Sequence, residues 1–227
     1  MDNWSAKIYE EEAVRSLFGE TLNPGGFALI TRAVNYCGFQ PGTKLLDIGC
    51  GLGSTVQYLR TNFALDVLGI DVSAKLISLG LENYPALPIY TAQAEKIPYP
   101  EASFQGVISE CVMPYFENVE VVLKEIYRVL EPNGRLILSN LYFYKKEPEP
   151  TKPNIWPGKP ENILFKQEVF SLLEKYGFVV QLWEDHSHLL SQFLCDIIMK
   201  GGSPPKMQLA CPAGVKLGYY LLVAEKR

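Results

Sequence analysis

The chain has 227 residues, 48% of them hydrophobic, with a formal charge of −4, enough for one globular domain with a sizeable core. No cluster of Lys and Arg suggests a surface for nucleic acid, and no apolar run reaches the roughly 18 residues of a membrane span. The acidic, amphipathic start "MDNWSAKIYEEEAVRSLF" is unlike a signal peptide, and five scattered cysteines without a CxxC pair argue against a disulfide framework, so a cytoplasmic protein is expected.

Apolar positions recur at helical spacing from about Ala6 to Leu17 and again from about Gly26 to Tyr36, with the turn "NPGG", Asn23 to Gly26, between them. Short apolar runs and helical patterns then alternate. "KLLDIG" reads as a buried strand and Ser54 to Thr61 as a helix. "LDVLGID" is a strand, and "SAKLISLGLENY" a helix with Ser73 as N-cap. "PIYTAQA" and "FQGVISEC" are further strands, followed by a helix over about Val119 to Leu130, a turn at "EPNG" and a fifth strand, "RLILSNLYF". Such alternation implies a parallel sheet with helices on both faces, whose ligands bind beyond the carboxyl ends of the strands.

After the fifth strand the texture changes. "KKEPEPTKPNIWPGKPENILF", Lys145 to Phe165, is rich in proline and charge and is read as a lid, with Trp156 closing on substrate or cap. A helix "KQEVFSLLEKYG", a strand "FVVQLWED", a helix from His188 to Met199 and the turn-rich "KGGSPPKMQLACPAG" lead to a last strand, "GYYLLVAEKR". The closing strands are expected as an antiparallel hairpin at the sheet edge. The whole is an α/β, Rossmann-like, doubly wound and mostly parallel seven-stranded sheet. It forms a single domain: helices in 1–40, core in 41–144, lid in 145–165, C-terminal helices and strands in 166–227.

The stretch "LLDIGCGLGST", Leu45 to Thr55, carries the chemistry. A strand ending at Asp47 runs through a glycine loop into a helix, which aims backbone N–H groups and a helix N-terminus at one point. A phosphate-binding P-loop needs Gly-Lys-Ser/Thr, which is missing. The nicotinamide and flavin fingerprint is matched by Gly49 and Gly51, but Ser54 stands at its third position and the extra glycine falls at Gly53. What remains is G-x-G-x-G preceded by an acid.

That stretch resembles the first motif of class I S-adenosylmethionine-dependent methyltransferases, of the UbiE-like, methyltransferase-11-like kind. "LGIDVS" resembles their second motif, "AQAEKIPYPEASFQGVIS" their third- and fourth-strand block and "IYRVLEPNGRLILSN" their fifth. The resemblance runs in order from about Tyr9 to Asn140. It implies S-adenosyl-L-methionine as cofactor, S-adenosyl-L-homocysteine as product, and in-line displacement by a small-molecule nucleophile. It also implies a site. Gly49 and Gly51 allow close approach of the backbone, with Cys50 a small spacer between them. Asp47 fixes the loop or attracts the cofactor's ammonium, and Asp71 accepts the ribose hydroxyls. Val72 and Leu76 pack on the adenine face. Ala94 and Glu95 lie near its edge, next to Gln93, where the family often has an acid. Ser109 lies beside the methionine portion. Tyr9 and "NPGG" resemble segments that cover the cofactor; a packing helix with an ordinary turn is the alternative.

The acceptor is less legible. The strand-four exit, "ISECVMPYF", lacks the Asn-Pro-Pro-Tyr-like tetrapeptide of protein and DNA nitrogen methyltransferases. "SECVM" resembles the "SNCV" stretch of arsenite methyltransferases, whose cysteine binds trivalent arsenic, and Cys111 matches that cysteine. Cys195 and Cys211 would supply further soft ligands, although that family's N-terminal vicinal cysteines and long C-terminal domain are lacking. A buried, inert thiol is the other reading of Cys111. The catalytic group is left open among Glu110, Cys111, Tyr115 and His186. His186 and His188 are the only histidines, and either suits a general base near neutral pH. No metal is expected, because their spacing with the cysteines matches no usual zinc pattern. Tyr115, Tyr142 and Trp156 are expected to border the mouth of the pocket. A non-catalytic S-adenosylmethionine-binding module is the alternative from another class, Ser54 disfavours a nicotinamide enzyme, and the oligomeric state is not legible.

Overall fold

The computed structural model describes residues 9–18, 21, 23–145, 163–200 and 215–227. Trp156, Cys211 and nearly all of the expected lid lie outside the described residues. The seven strands are β1 (Lys44–Ile48), β2 (Asp66–Asp71), β3 (Ile89–Thr91), β4 (Phe104–Glu110), β5 (Leu130–Lys145), β6 (Phe178–Asp185) and β7 (Val215–Lys226). The helices are α1 (Glu12–Phe18), α2 (Phe27–Cys37), α3 (Ser54–Phe63), α4 (Ala74–Asn83), α5 (Val119–Val129), α6 (Lys166–Lys175) and α7 (Ser187–Met199).

The strands form one sheet in the order β3-β2-β1-β4-β5-β7-β6. β1 to β5 pair in parallel, while β7 runs antiparallel to both β5 and β6. The closing strands are thus the expected hairpin, with β7 inserted and β6 at the edge.

Successive strand residues feed opposite faces, because strand side chains alternate. Leu46, Val107, Leu136 and Leu138 enter one core with α5. Leu45, Ile108, Ile137 and Val223 enter the other with α2 and α3. Burial on both faces explains why these strands carry adjacent apolar residues rather than a strict apolar–polar alternation. α5 supplies Val122, Leu123, Ile126 and Val129 from one stripe, and the Asn118 side chain accepts from Val121 N (3.1 Å) to start it. No helix among the described residues is long and apolar enough to cross a membrane.

Two local expectations change. The first helical pattern breaks at Glu10 and Glu11, and α1 starts at Glu12. Arg15 Nη1 donates to the carbonyls of Glu10 (2.5 Å) and Tyr9 (3.2 Å), stabilising the break. The "EPNG" turn lies within β5 as an irregularity: Phe104 pairs with Leu130 and Gly106 with Arg135. Asn133 takes φ 63° there, and a Cβ on Gly134 would meet Glu131 O at 2.8 Å. The end of the lid segment belongs to the fold, since Ile163 is buried with Phe143 and Val215.

Candidate functional site

β1 has β2 on one side and β4 on the other. The winding direction of the sheet reverses between β1 and β4, which opens a crevice beyond their carboxyl ends. A cavity of about 370 Å³ lies there, lined by the glycine loop, the ends of β2 and β4, the turn after β3 and the N-terminal segment. Tyr9, Asp47, Gly49, Cys50, Gly51, Asp71, Val72, Leu76, Ala94 and Glu95 all line it, as do Glu110, Cys111 and Tyr115.

The glycine loop is also held by contacts within the fold. Gly49 has φ 78°, and a Cβ there would lie 2.3 Å from Val112 Cγ2. That glycine admits the β4 exit loop, and it also lines the cavity. Gly51, at φ 54°, donates its N–H to Asp71 Oδ2 (2.9 Å), tying the loop to the end of β2. Asp71 Oδ1 accepts from Ser73 N (2.8 Å). Ser73 Oγ caps α4 by accepting from Leu76 N (3.1 Å) and donates to Glu10 Oε1 (2.6 Å). The broken first helix is thereby latched to the site, with Tyr9 on the cavity wall.

Three carboxyl groups dominate the electrostatics. Burial pushes Asp47 well above the ordinary carboxylate range, and Glu110 and Asp71 push it further. No opposing donor or cation offsets these effects among the described residues. Burial also raises Asp71, against which the N–H groups of Ser73 and Gly51 pull. Glu110 is pushed up to about 7 by burial, although the hydroxyls of Thr55 (3.0 Å) and Ser139 (3.2 Å) donate to it. Tyr9 and Tyr115 meet edge to face with ring centroids 6.4 Å apart, and burial raises both phenols.

Other expected residues fall elsewhere. Ser109 is fully buried, outside the cavity lining, and its Oγ has no partner. The pleat explains this, since adjacent residues of β4 face opposite sides and Glu110 takes the cavity side. His186 stands at the start of α7, paired with Glu184 Oε2 (3.1 Å), and does not line the cavity. Tyr142 is a core residue rather than part of the pocket mouth. It is 5% exposed, bonded to Asp185 Oδ2 (2.9 Å) and packed on Trp183 and Tyr220.

The expected soft-ligand cluster does not assemble among the described residues. The Cys111 thiol bonds the Tyr219 hydroxyl (3.0 Å) and is pushed up to about 12 by burial, so it is a neutral thiol near pH 7. Cys195 is exposed on α7. No group of three or more His, Cys, Asp and Glu among the described residues is arranged to hold a metal ion. Sequence reasoning passed over Thr55, Ser139 and the Glu10 latch. Thr55 stood at the end of the glycine motif, and Glu10 in an acidic run that reads as solvated surface.

Known proteins share this architecture. Residues 46–138 match a family model described as a methyltransferase domain. The uncharacterized methyltransferase YodH of Bacillus subtilis is 31% identical over 169 residues, 72% of either chain. Phosphoethanolamine N-methyltransferase 3 of Arabidopsis thaliana is 30% identical over 139 residues, covering 59% of this chain and 28% of that protein. The chain spans roughly a third of the length of the phosphoethanolamine N-methyltransferases it first matches. Among solved structures, the cyclase SpnF superposes with a TM-score of 0.79 at 20% identity, covering 99% of this chain and 96% of that one. Haemonchus contortus phosphoethanolamine N-methyltransferase 2, solved with S-adenosyl-L-methionine, gives 0.75 at 18%, covering 99% of this chain and 57% of that one. At such identities the structures establish the fold. The chain belongs to the class I S-adenosylmethionine-dependent methyltransferases, and its cofactor is S-adenosyl-L-methionine.

Proposed function

We propose that this chain transfers the methyl group of S-adenosylmethionine to a small nucleophile that is neutral or cationic, by in-line displacement. The observation that carries this reading is the charge of the cavity. Asp47, Asp71, Glu95, Glu110 and Glu117 line it, and no Lys, Arg or His among the described residues does. A cofactor with a cationic sulfonium and ammonium suits buried carboxylates that lack counter-charges.

Asp47 faces the cationic amino-acid end of the cofactor. Asp71 spends one lone pair of each oxygen on backbone N–H groups and keeps others for the ribose hydroxyls. Val72 and Leu76 flank the adenine, and Ala94 and Glu95 its edge. Tyr9, held by the Glu10–Ser73 bond, excludes water from the reacting centre. When bound, the cofactor supplies an activated methyl group, so the chain's main task is to align the nucleophile.

The same charge pattern favours an amine or hydroxyl compound over a phosphate ester. A labelled-methyl transfer screen against small metabolites, with ethanolamine and phosphoethanolamine as paired arms, tests this. Transfer to neutral or cationic acceptors is expected. Faster transfer to the phosphorylated arm refutes the charge argument. Binding of S-adenosylhomocysteine without transfer to any acceptor favours a non-catalytic module.

A further inference from the structure

A chain of hydrogen bonds leaves the cavity, passes through the core and returns to it. Cys111, on the cavity wall, bonds through Sγ to the Tyr219 hydroxyl (3.0 Å). Tyr219 donates to Ser139 Oγ (3.2 Å), and Ser139 donates to Glu110 Oε1 (3.2 Å). Glu110 is again on the cavity wall. The two middle members are sealed from solvent, Tyr219 at 0% and Ser139 at 1% exposure. The donors align, so with the Cys111 proton on Tyr219 every hydrogen points toward the carboxylate.

The entrance is specially built. Cys111 is a non-glycine residue at φ 57°, a strained conformation that persists only where surrounding structure enforces it. Its N–H is fixed on Ser139 O (2.8 Å). The Tyr9 and Tyr115 phenols lie close enough to couple electrostatically to it. Strain, cavity exposure and the aligned donors therefore converge on one sulfur atom.

We propose that Cys111, Tyr219, Ser139 and Glu110 form a relay that takes the proton which an O–H, N–H or S–H acceptor loses on methylation and delivers it to the Glu110 carboxylate. This rests on the methyltransferase reading above. As the bond from nucleophile to methyl forms, the methyl–sulfur bond breaks and leaves its electron pair on sulfur. The acceptor's proton passes to Cys111 Sγ while the Cys111 proton moves to Tyr219, that of Tyr219 to Ser139, and that of Ser139 to Glu110. Cys111, Tyr219 and Ser139 each end with the proton count they began with, and Glu110 ends neutral. Its proton returns to water through the cavity after product leaves.

Glu110 suits the end of such a path, since burial brings it to about 7 and so lets it hold or release a proton near neutrality. The ionisable groups that bear on it are Asp47 on β1, Tyr219 on β7 and Cys111 beside it. Thr55 on α3 and Ser139 on β5 contribute hydroxyls. Tyr219 and Ser139 touch no substrate and act only through their neighbours.

The test needs no known acceptor. The infrared S–H stretch of Cys111, assigned by its loss in Cys111→Ala, is followed from about pH 5 to about pH 9, the range in which a carboxyl held near neutrality titrates. It is read in the free protein and with S-adenosylhomocysteine. The band should shift as Glu110 ionises, and the shift should vanish in Tyr219→Phe, Ser139→Ala and Glu110→Gln. In Tyr219→Phe, S-adenosylhomocysteine should bind within about twofold of wild type, because only a buried hydroxyl is lost. A pH-independent band in the wild type, or a band that still follows pH in both Tyr219→Phe and Ser139→Ala, overturns the relay. Failure of the wild type to bind S-adenosylhomocysteine strikes the methyltransferase reading instead.

Discussion

Asp47→Asn should make the free protein more stable and its cofactor complex weaker. Asp47 is 3% exposed, and its folded pKa lies well above 3.8 because of burial and of the charges on Glu110 and Asp71. The folded chain therefore holds this proton more tightly than the unfolded chain does. Stability tied to this group is full below the unfolded value and is lost as pH rises through the folded value. Each unit of elevation corresponds to about 1.4 kcal/mol lost at pH above the folded value. The asparagine, nearly the same shape, has no charge to desolvate. For a chain of this length, each kcal/mol regained raises the melting temperature by about 2–4 °C.

Calorimetric melting of wild type and variant from about pH 4 upward reads the effect, because that range starts at the ordinary Asp value and the folded value lies above it. The wild type should lose stability across that range more steeply than the variant. Titration with S-adenosylmethionine should show a loss of about 1–3 kcal/mol, or about five- to 150-fold, the scale of a charge-assisted contact. A variant that melts below wild type at neutral pH and binds the cofactor unchanged refutes the reasoning on both counts. It would mean that Asp47 is a structural residue with partners in the fold. The expected pattern is a stability–function trade-off of the kind found at binding sites.

Asp71→Ala should weaken S-adenosylmethionine binding by about 1–3 kcal/mol by titration calorimetry, and an unchanged dissociation constant in a folded variant rules out the ribose contact. Gly51→Val should abolish S-adenosylhomocysteine binding, since a β-branched residue is strained at φ 54° and its side chain would enter the cavity; normal affinity shows that the loop does not touch the ligand. Ser73→Ala removes both the α4 cap and the Glu10 bond, so it should cost about 1 kcal/mol in thermal unfolding. The same variant should make Tyr9 more accessible to fluorescence quenchers, and unchanged quenching argues against the latch.

The parts of this fold legible in the sequence are those set by local chemistry. β1, β2 and β4 are buried on both faces and read as short, mainly apolar runs. Ser73 caps α4 as its side chain and position suggest. The glycine loop was legible as a turn of left-handed positions, and Gly49, Gly51 and Gly53 all have positive φ there. What escaped depends on partners distant in sequence. Gly49 is explained by Val112, and the inward turn of Tyr142 by Asp185, Trp183 and Tyr220. The choice between Ser109 and Glu110 is one of strand parity, set by pairing with Leu138 and Ser139 on β5; a slip of one residue reverses which side chain meets the cavity. The break at Glu10 was hidden because apolar spacing continues through it, and only the Arg15 guanidinium on two carbonyls marks the interruption.

The acidic cavity and the relay meet in one electrostatic argument. Methyl transfer turns a cationic sulfonium into a neutral thioether and moves its positive charge to the acceptor, and the buried site loses that charge if the acceptor's proton escapes to water. Buried carboxylates that had been paired with that charge would be left uncompensated, a costly state at low dielectric. A proton delivered to Glu110 removes one negative charge in the same event. The net charge of the buried site is then the same before and after transfer. In the proposed site Asp47, which the proposed relay does not reach, would keep its charge and prefer the cationic cofactor to the product. On the proposed reading, the acid that draws in the cofactor and the acid that takes the proton have separate tasks. Their different surroundings fit that division: two hydroxyl donors on Glu110, and burial beside other acids for Asp47.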